Sequence, residues 1–159
     1  FYTSKNKPYM PLYAVWFKNK IITGCCENGN LYILDDNYYR EDFNDKDSLP
    51  LYRVRQTPVI TADYKPFVFY ELALECNAGS IENYGQLSKA LLQLSNDGGY
   101  TFGNCIEGQL GYRGEYSARL RYLNLGMVRQ CVLRIMFSED SDFVISDATL
   151  RFNILNTPV

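Results

Sequence analysis

Apolar and polar side chains alternate at a period of two in one segment of this chain after another, and the alternating runs stop at Gly, Asn, Asp or Pro. From Val68 to Cys76 the positions Val68, Tyr70, Leu72, Leu74 and Cys76 share one parity, while Glu71, Ala73 and Glu75 share the other. This predicts a long, half-buried strand with carboxylates on its polar face. Arg119 and Arg121 alternate with Leu120 and Tyr122. Cys131, Leu133, Ile135 and Phe137 alternate with Val132, Arg134 and Met136, and Ala148, Leu150, Phe152 and Ile154 with Thr149, Arg151 and Asn153. Five or more such strands, spaced by turn residues, predict an antiparallel β-sandwich in which each sheet has one packed and one polar face.

The first part of the chain repeats the pattern in shorter pieces. Tyr13 to Phe17 and Ile21 to Cys25 flank the polar Lys18-Asn19-Lys20, and Glu27-Asn28-Gly29-Asn30 leads into Leu31 to Leu34, with Asp35 leaving the sheet. A three-stranded meander of this kind is about what the last part of a β-propeller, one blade, supplies. One blade cannot bury both of its faces, so neighbours are expected from residues ahead of Phe1, within a longer protein. Asp35 to Pro50 is acidic, with Asp35, Asp36, Glu41, Asp42, Asp45 and Asp47. Calcium would want such clustered oxygens, but the spacing does not fit an EF-hand loop, and a solvated connector is expected. Leu51 to Gln56 alternates again up to Thr57-Pro58. Two domains follow: residues 1–50, meander and acidic connector, and residues 51–159, the sandwich.

Within the second domain Ser95-Asn96-Asp97-Gly98-Gly99-Tyr100-Thr101-Phe102 reads as a tight hairpin turn between Leu91 to Leu94 and Tyr100 to Phe102. Asn and Asp side chains bond nearby backbone amides, and Gly98 and Gly99 accept positive φ, which is expected at Gly99. The spacing of Ser95, Asp97, Gly99, Thr101 and Phe102 resembles the Asp-box of sialidases and of several non-enzymatic β-proteins; one copy marks a turn, not an activity.

Composition narrows the chemistry. No histidine is present, which excludes Ser-His-Asp and Cys-His nucleophile systems and His-based metal sites. The five cysteines, Cys25, Cys26, Cys76, Cys105 and Cys131, form no Cys-x-x-Cys pair; they are expected as reduced core residues in a protein assembled in a reducing compartment. A net charge of −2 gives no field for nucleic acid or anionic membrane. No apolar run is long enough to span a bilayer, and no signal peptide is expected. No cofactor or metal is expected.

Several segments in order carry a more specific likeness: Glu75-Cys76 closing a long strand, a Gly-containing loop, Leu92 to Gly103, Arg119 to Gly126, Leu133 to Asp140, and a last strand Ala148 to Ile154. With Trp16-Phe17, Gly24 and Gly29 to Asp35 upstream, this order resembles the C-terminal part of the packaged-DNA stabilisation, or tail hub, proteins of short-tailed bacteriophages. Phe102 stands where that family usually has Trp, and Met127-Val128-Arg129-Gln130 thins a basic block. The resemblance implies a structural virion protein, assembled in the host cytoplasm into a homo-oligomeric ring, hexameric in the family. The ring would sit in the tail under portal and adaptor proteins, seal the channel and retain packaged DNA, which it touches at most indirectly. It would also hold tail fibre, spike or needle proteins, with no catalytic residue and no membrane partner.

Arg119, Arg121, Arg134 and Arg151 are the residues such a role would use. On the polar faces of their strands they can meet carboxylates of a neighbouring subunit, touch phosphates, or pair across strands with Glu71, Glu75 or Glu115, each pair worth only ~0.2–1 kcal/mol. The alternative function is a non-catalytic carbohydrate-binding sandwich, with Tyr112, Tyr116 or Tyr122 stacking on sugar.

Overall fold

A strand, not a helix, forms wherever the period of two is sustained, and in the computed structural model every regular element among the described residues is a β-strand. The described residues are 11–25, 29–35, 38–42, 48–78, 88–110, 118–139 and 141–155. The chain divides into two compact units, Phe1–Tyr52 and Arg53–Val159.

In the first unit β1 (Pro11–Phe17), β2 (Lys20–Cys25) and β3 (Leu31–Leu34) form an antiparallel sheet in that order. Phe17 pairs directly with Lys20, so Lys18 and Asn19 alone make the turn, with φ of 46° and 61°. Two left-handed residues in succession match the right-handed twist of the strands they join. Val15, Ile22 and Ile33 lie in register on one face, and Trp16, Ile21 and Leu34 on the other. Large apolar side chains are exposed on both faces. The acidic stretch is not wholly loop, because β4 (Arg40–Asp42) and β5 (Ser48–Pro50) pair as a two-stranded ribbon; Asp36, Asp45 and Asp47 lie outside the described residues.

The second unit holds β6 (Arg53–Gln56), β7 (Ile60–Thr61), β8 (Phe67–Ala78), β9 (Lys89–Ser95), β10 (Ile106–Gln109), β11 (Ala118–Val128), β12 (Gln130–Phe137) and β13 (Phe143–Ile154). One sheet runs β10-β9-β12-β6, with β7 also on β12, and the other runs β11-β8-β13. Phe67, Phe69, Leu72, Leu74, Leu120 and Tyr122 from the second sheet join Ala90, Leu92, Leu133, Ile135 and Phe137 from the first in one core. Burial of each large side chain there contributes about 1.5–3 kcal/mol. Arg129 alone separates β11 from β12, so the chain changes sheet in a single residue.

The strict alternation expected along β8 does not hold. Phe67 and Phe69 are buried, and Tyr70, expected inward, is 46% exposed; from Leu72 onward the even positions face the core. The register explains the change. Arg151 pairs with Glu71 and the next residue, Phe152, with Phe69, which leaves Tyr70 as an extra residue in β8. An unpaired residue in one strand switches the facing of everything beyond it. On the other flank the step from Leu123 to Gly126 spans the same two β8 residues, and Asn124 (φ 56°) and Gly126 (φ 94°) absorb the surplus.

The chain after the Ser95 turn also differs from expectation. Tyr100 to Phe102 is irregular rather than strand, and the partner of β9 begins only at Ile106. The loop is long because Asp97 gathers its amides into a knot instead of a two-residue reversal.

Candidate functional site

The outer face of β11-β8-β13 gathers three of the four candidate arginines around two carboxylates. β8 is the central strand, so Glu71 and Ala73 are covered by side chains from both flanks and are buried although they point away from the core. Glu71 stands opposite Leu123 on β11 and Arg151 on β13. Its Oε1 accepts a hydrogen bond from Nε of Arg121, and its Oε2 lies 3.2 Å from Nη1 of Arg151. Nε of Arg119 reaches Oε1 of Glu75 at 3.1 Å. The Glu71 side chain is only 5% exposed, whereas those of Arg121 and Arg151 are 53% and 63% exposed.

The hydrogen bond from Arg121 holds the Glu71 carboxyl below its usual range, against the opposing effect of burial and with help from the charges of Arg121, Arg151 and Arg119. A carboxylate so held is a weak proton acceptor. What the face offers outward is a set of guanidinium donors only partly used by Glu71 and Glu75, set next to exposed Leu123 and Met127. That mixture suits contact with a protein surface bearing carboxylates and apolar groups. Asp147, opposite Glu75, tempers its positive charge.

Arg134 is separated from the other three, because β12 belongs to the opposite sheet. Its guanidinium carbon sits 3.4 Å from the centroid of Phe102, and Nη2 donates to Oε1 of Gln56 at 3.2 Å. Arg134 therefore ties the loop after Ser95 to the sheet by a cation–π contact. Within that loop Oδ1 of Asp97 accepts from Oγ of Ser95 (2.6 Å) and from the amides of Tyr100 (3.0 Å) and Thr101 (2.9 Å). Oδ2 accepts from Oγ1 of Thr101 at 2.5 Å. The Ser95 hydroxyl in turn accepts from the Gly99 amide at 2.8 Å. Bonds from Ser95 and Thr101 hold the Asp97 carboxyl well below the usual carboxylate range. Gly98 and Gly99 have φ of 80° and 99°, and a Cβ on Gly99 would stand 3.3 Å from Nε2 of Gln56.

Other candidates fall elsewhere. Tyr122 is 1% exposed and its hydroxyl donates to the Ala90 carbonyl at 2.9 Å, so it cannot stack on a ligand; Tyr112 and Tyr116 lie outside the described residues, as does Glu115. Cys76 and Cys131 are buried, but Cys25 is only half-buried and Cys105 is exposed, against the expectation of a core residue; Cys26 lies outside the described residues. Pairing across strands with Glu71 or Glu75, one of the outcomes expected for these arginines, is found for Arg119, Arg121 and Arg151; which two of them share Glu71 was not legible in the sequence. The signal was the shared parity of Glu71 and Glu75 with the arginines of later strands, usable only once the register was known.

Residues 52–153 fit the family described as Bacteriophage P22 Gp10, beta-sandwich, and the chain belongs to it. That family places it among bacteriophage structural proteins with an all-β sandwich. No curated protein matches the chain.

Proposed function

We propose, from that family membership, that this chain is the C-terminal part of a non-enzymatic tail hub that closes the portal channel after DNA packaging and retains the genome. In this reading residues 51–159 are a sandwich module packed against copies of itself in a ring, hexameric by family resemblance. Residues 1–50 are the end of a propeller-like body. A sheet with apolar side chains exposed on both faces, as in β1-β2-β3, supports the blade, since it needs cover on each side. Portal or adaptor proteins above the ring and fibres, spikes or a needle on it complete the assembly, with packaged DNA contacted at most indirectly.

The observation that carries the reading is the face built on Glu71, with Arg119, Arg121 and Arg151 exposed beside Leu123 and Met127. A seal that holds against packed DNA calls for rigid modules and many subunit contacts, and this face has the mixed charged and apolar composition of an interface. Leu123→Asp and Arg121→Glu test it. In the full-length protein both are expected to abolish ring assembly by native mass spectrometry and to leave nuclease-sensitive DNA in particles, while circular dichroism retains the β-signal. Rings that form normally with both changes would remove the face from the subunit contact.

A further inference from the structure

Along the flank of the sandwich where β6 and β13 are the terminal strands of their sheets, the two edges do not meet. A cleft of about 620 Å³ opens between them, lined by Arg53, Val54 and Arg55 of β6, Phe143, Val144 and Ile145 of β13, and Ile135 of β12. Three consecutive residues from each edge line it, so backbone as well as side chains border the gap. Ile135 forms an apolar floor, and the Phe137–Phe143 stack, with ring centroids 4.5 Å apart, bounds one end. Arg53 is fixed there, its guanidinium carbon 4.6 Å from the Phe137 centroid and its Nη2 donating to the Glu139 carbonyl at 2.7 Å. Arg55 pairs in register with Ile135 and is exposed. It meets no carboxylate among the described residues, whereas Arg119, Arg121 and Arg151 all do.

The geometry points to a strand-accepting cleft, in which an extended segment of another polypeptide, alternating acidic and apolar residues, lies between β6 and β13. Terminal strands present unpaired N–H and C=O groups that an extended chain can satisfy. The period of two in such a segment sends apolar side chains toward Ile135, Phe143 and Ile145 and carboxylates toward Arg55. Charge decides the occupant: the unmatched cation on the rim selects an acidic strand over a basic one. The assignment is independent of the ring contact proposed above, since none of the residues lining the cleft belongs to the face built on Glu71.

The test uses the full chain and a fluorescein-labelled synthetic peptide of alternating Glu and Val, read by anisotropy. The Glu/Val peptide is expected to bind about tenfold or more tightly than its Lys/Val counterpart, and Arg55→Glu to remove that preference. Arg129→Glu, at an exposed arginine of the β11–β12 junction, is expected to leave binding unchanged. An N-methylated Glu/Val peptide is expected to fail, because it cannot pair with a strand edge. Equal binding of the Glu/Val and Lys/Val peptides, binding unaffected by Arg55→Glu, or full binding of the N-methylated form would each overturn the proposal. Concentration-dependent self-association lost in Arg55→Glu, without peptide binding, would also overturn it and give the cleft to a second copy.

Discussion

Arg151 on β13 and Glu71 on β8 are direct cross-strand partners, with Nη1 and Oε2 3.2 Å apart. Because the Glu71 carboxyl is held below its ordinary value of 4.5, it is more acidic folded than unfolded. It therefore stabilises the fold above the ordinary value, and the contribution is lost as pH falls through the folded value. Glu71→Gln should lower the Tm at pH 7, and the gap from the parent should close steadily below about pH 4. Differential scanning fluorimetry across pH checks this; a gap constant with pH would show that the residue acts through packing alone.

Asp97 organises the loop after β9, and its carboxyl lies well below the ordinary 3.8. By the same sign, its stabilising effect is complete above that ordinary value and is lost progressively as pH falls from there toward the folded value. Asp97→Ala frees the Tyr100 and Thr101 amides that it bonds. It should lower Tm by roughly 5 °C and speed hydrogen exchange at those two amides while leaving the β8 amides protected. Unchanged exchange at Tyr100 and Thr101 would contradict the assignment.

Gly108 lies where β10 passes under the opposite sheet. A Cβ there would press on Leu120 and stand 2.9 Å from the ring of Tyr122. Gly108→Ala should cost about 1–3 kcal/mol by overpacking, read as a shift of the urea midpoint with an unchanged m-value. Tyr122→Phe, which removes only the hydroxyl bonded to Ala90, should cost about 1 kcal/mol.

The thiols should separate by burial. Desolvation pushes Cys76 and Cys131 up to about 11, so at pH 8 almost none of either is thiolate, the form that reacts. Iodoacetamide should label exposed Cys105 within minutes and leave Cys76 and Cys131 untouched until denaturant is added, as peptide mapping would record.

Class and strand content were legible because alternation survives wherever a strand has one face on the core, as at Leu120 and Tyr122 or Leu133 and Ile135. The reading failed at Tyr70, where an inserted residue reverses the facing. Alternation is a local signal, and only the pairing with β11 and β13 reveals the irregularity. Tyr100 to Phe102 reads as strand because apolar side chains there suggest one, but Asp97 outcompetes the ladder for the Tyr100 and Thr101 amides. Of the four arginines, sequence parity put all on polar faces; sheet membership, a long-range property, sets Arg134 apart.

The reversal at Tyr70 has an evolutionary corollary. Because Tyr70 is surplus to the ladder, loss of its codon would give β8 a continuous period of two with Phe67, Phe69, Leu72 and Leu74 still on the core face, and would leave β11 alone with the surplus residue it carries between Leu123 and Gly126. Relatives that lack the extra residue in β8 should thus lack the one in β11 as well, the two strands shortening in step.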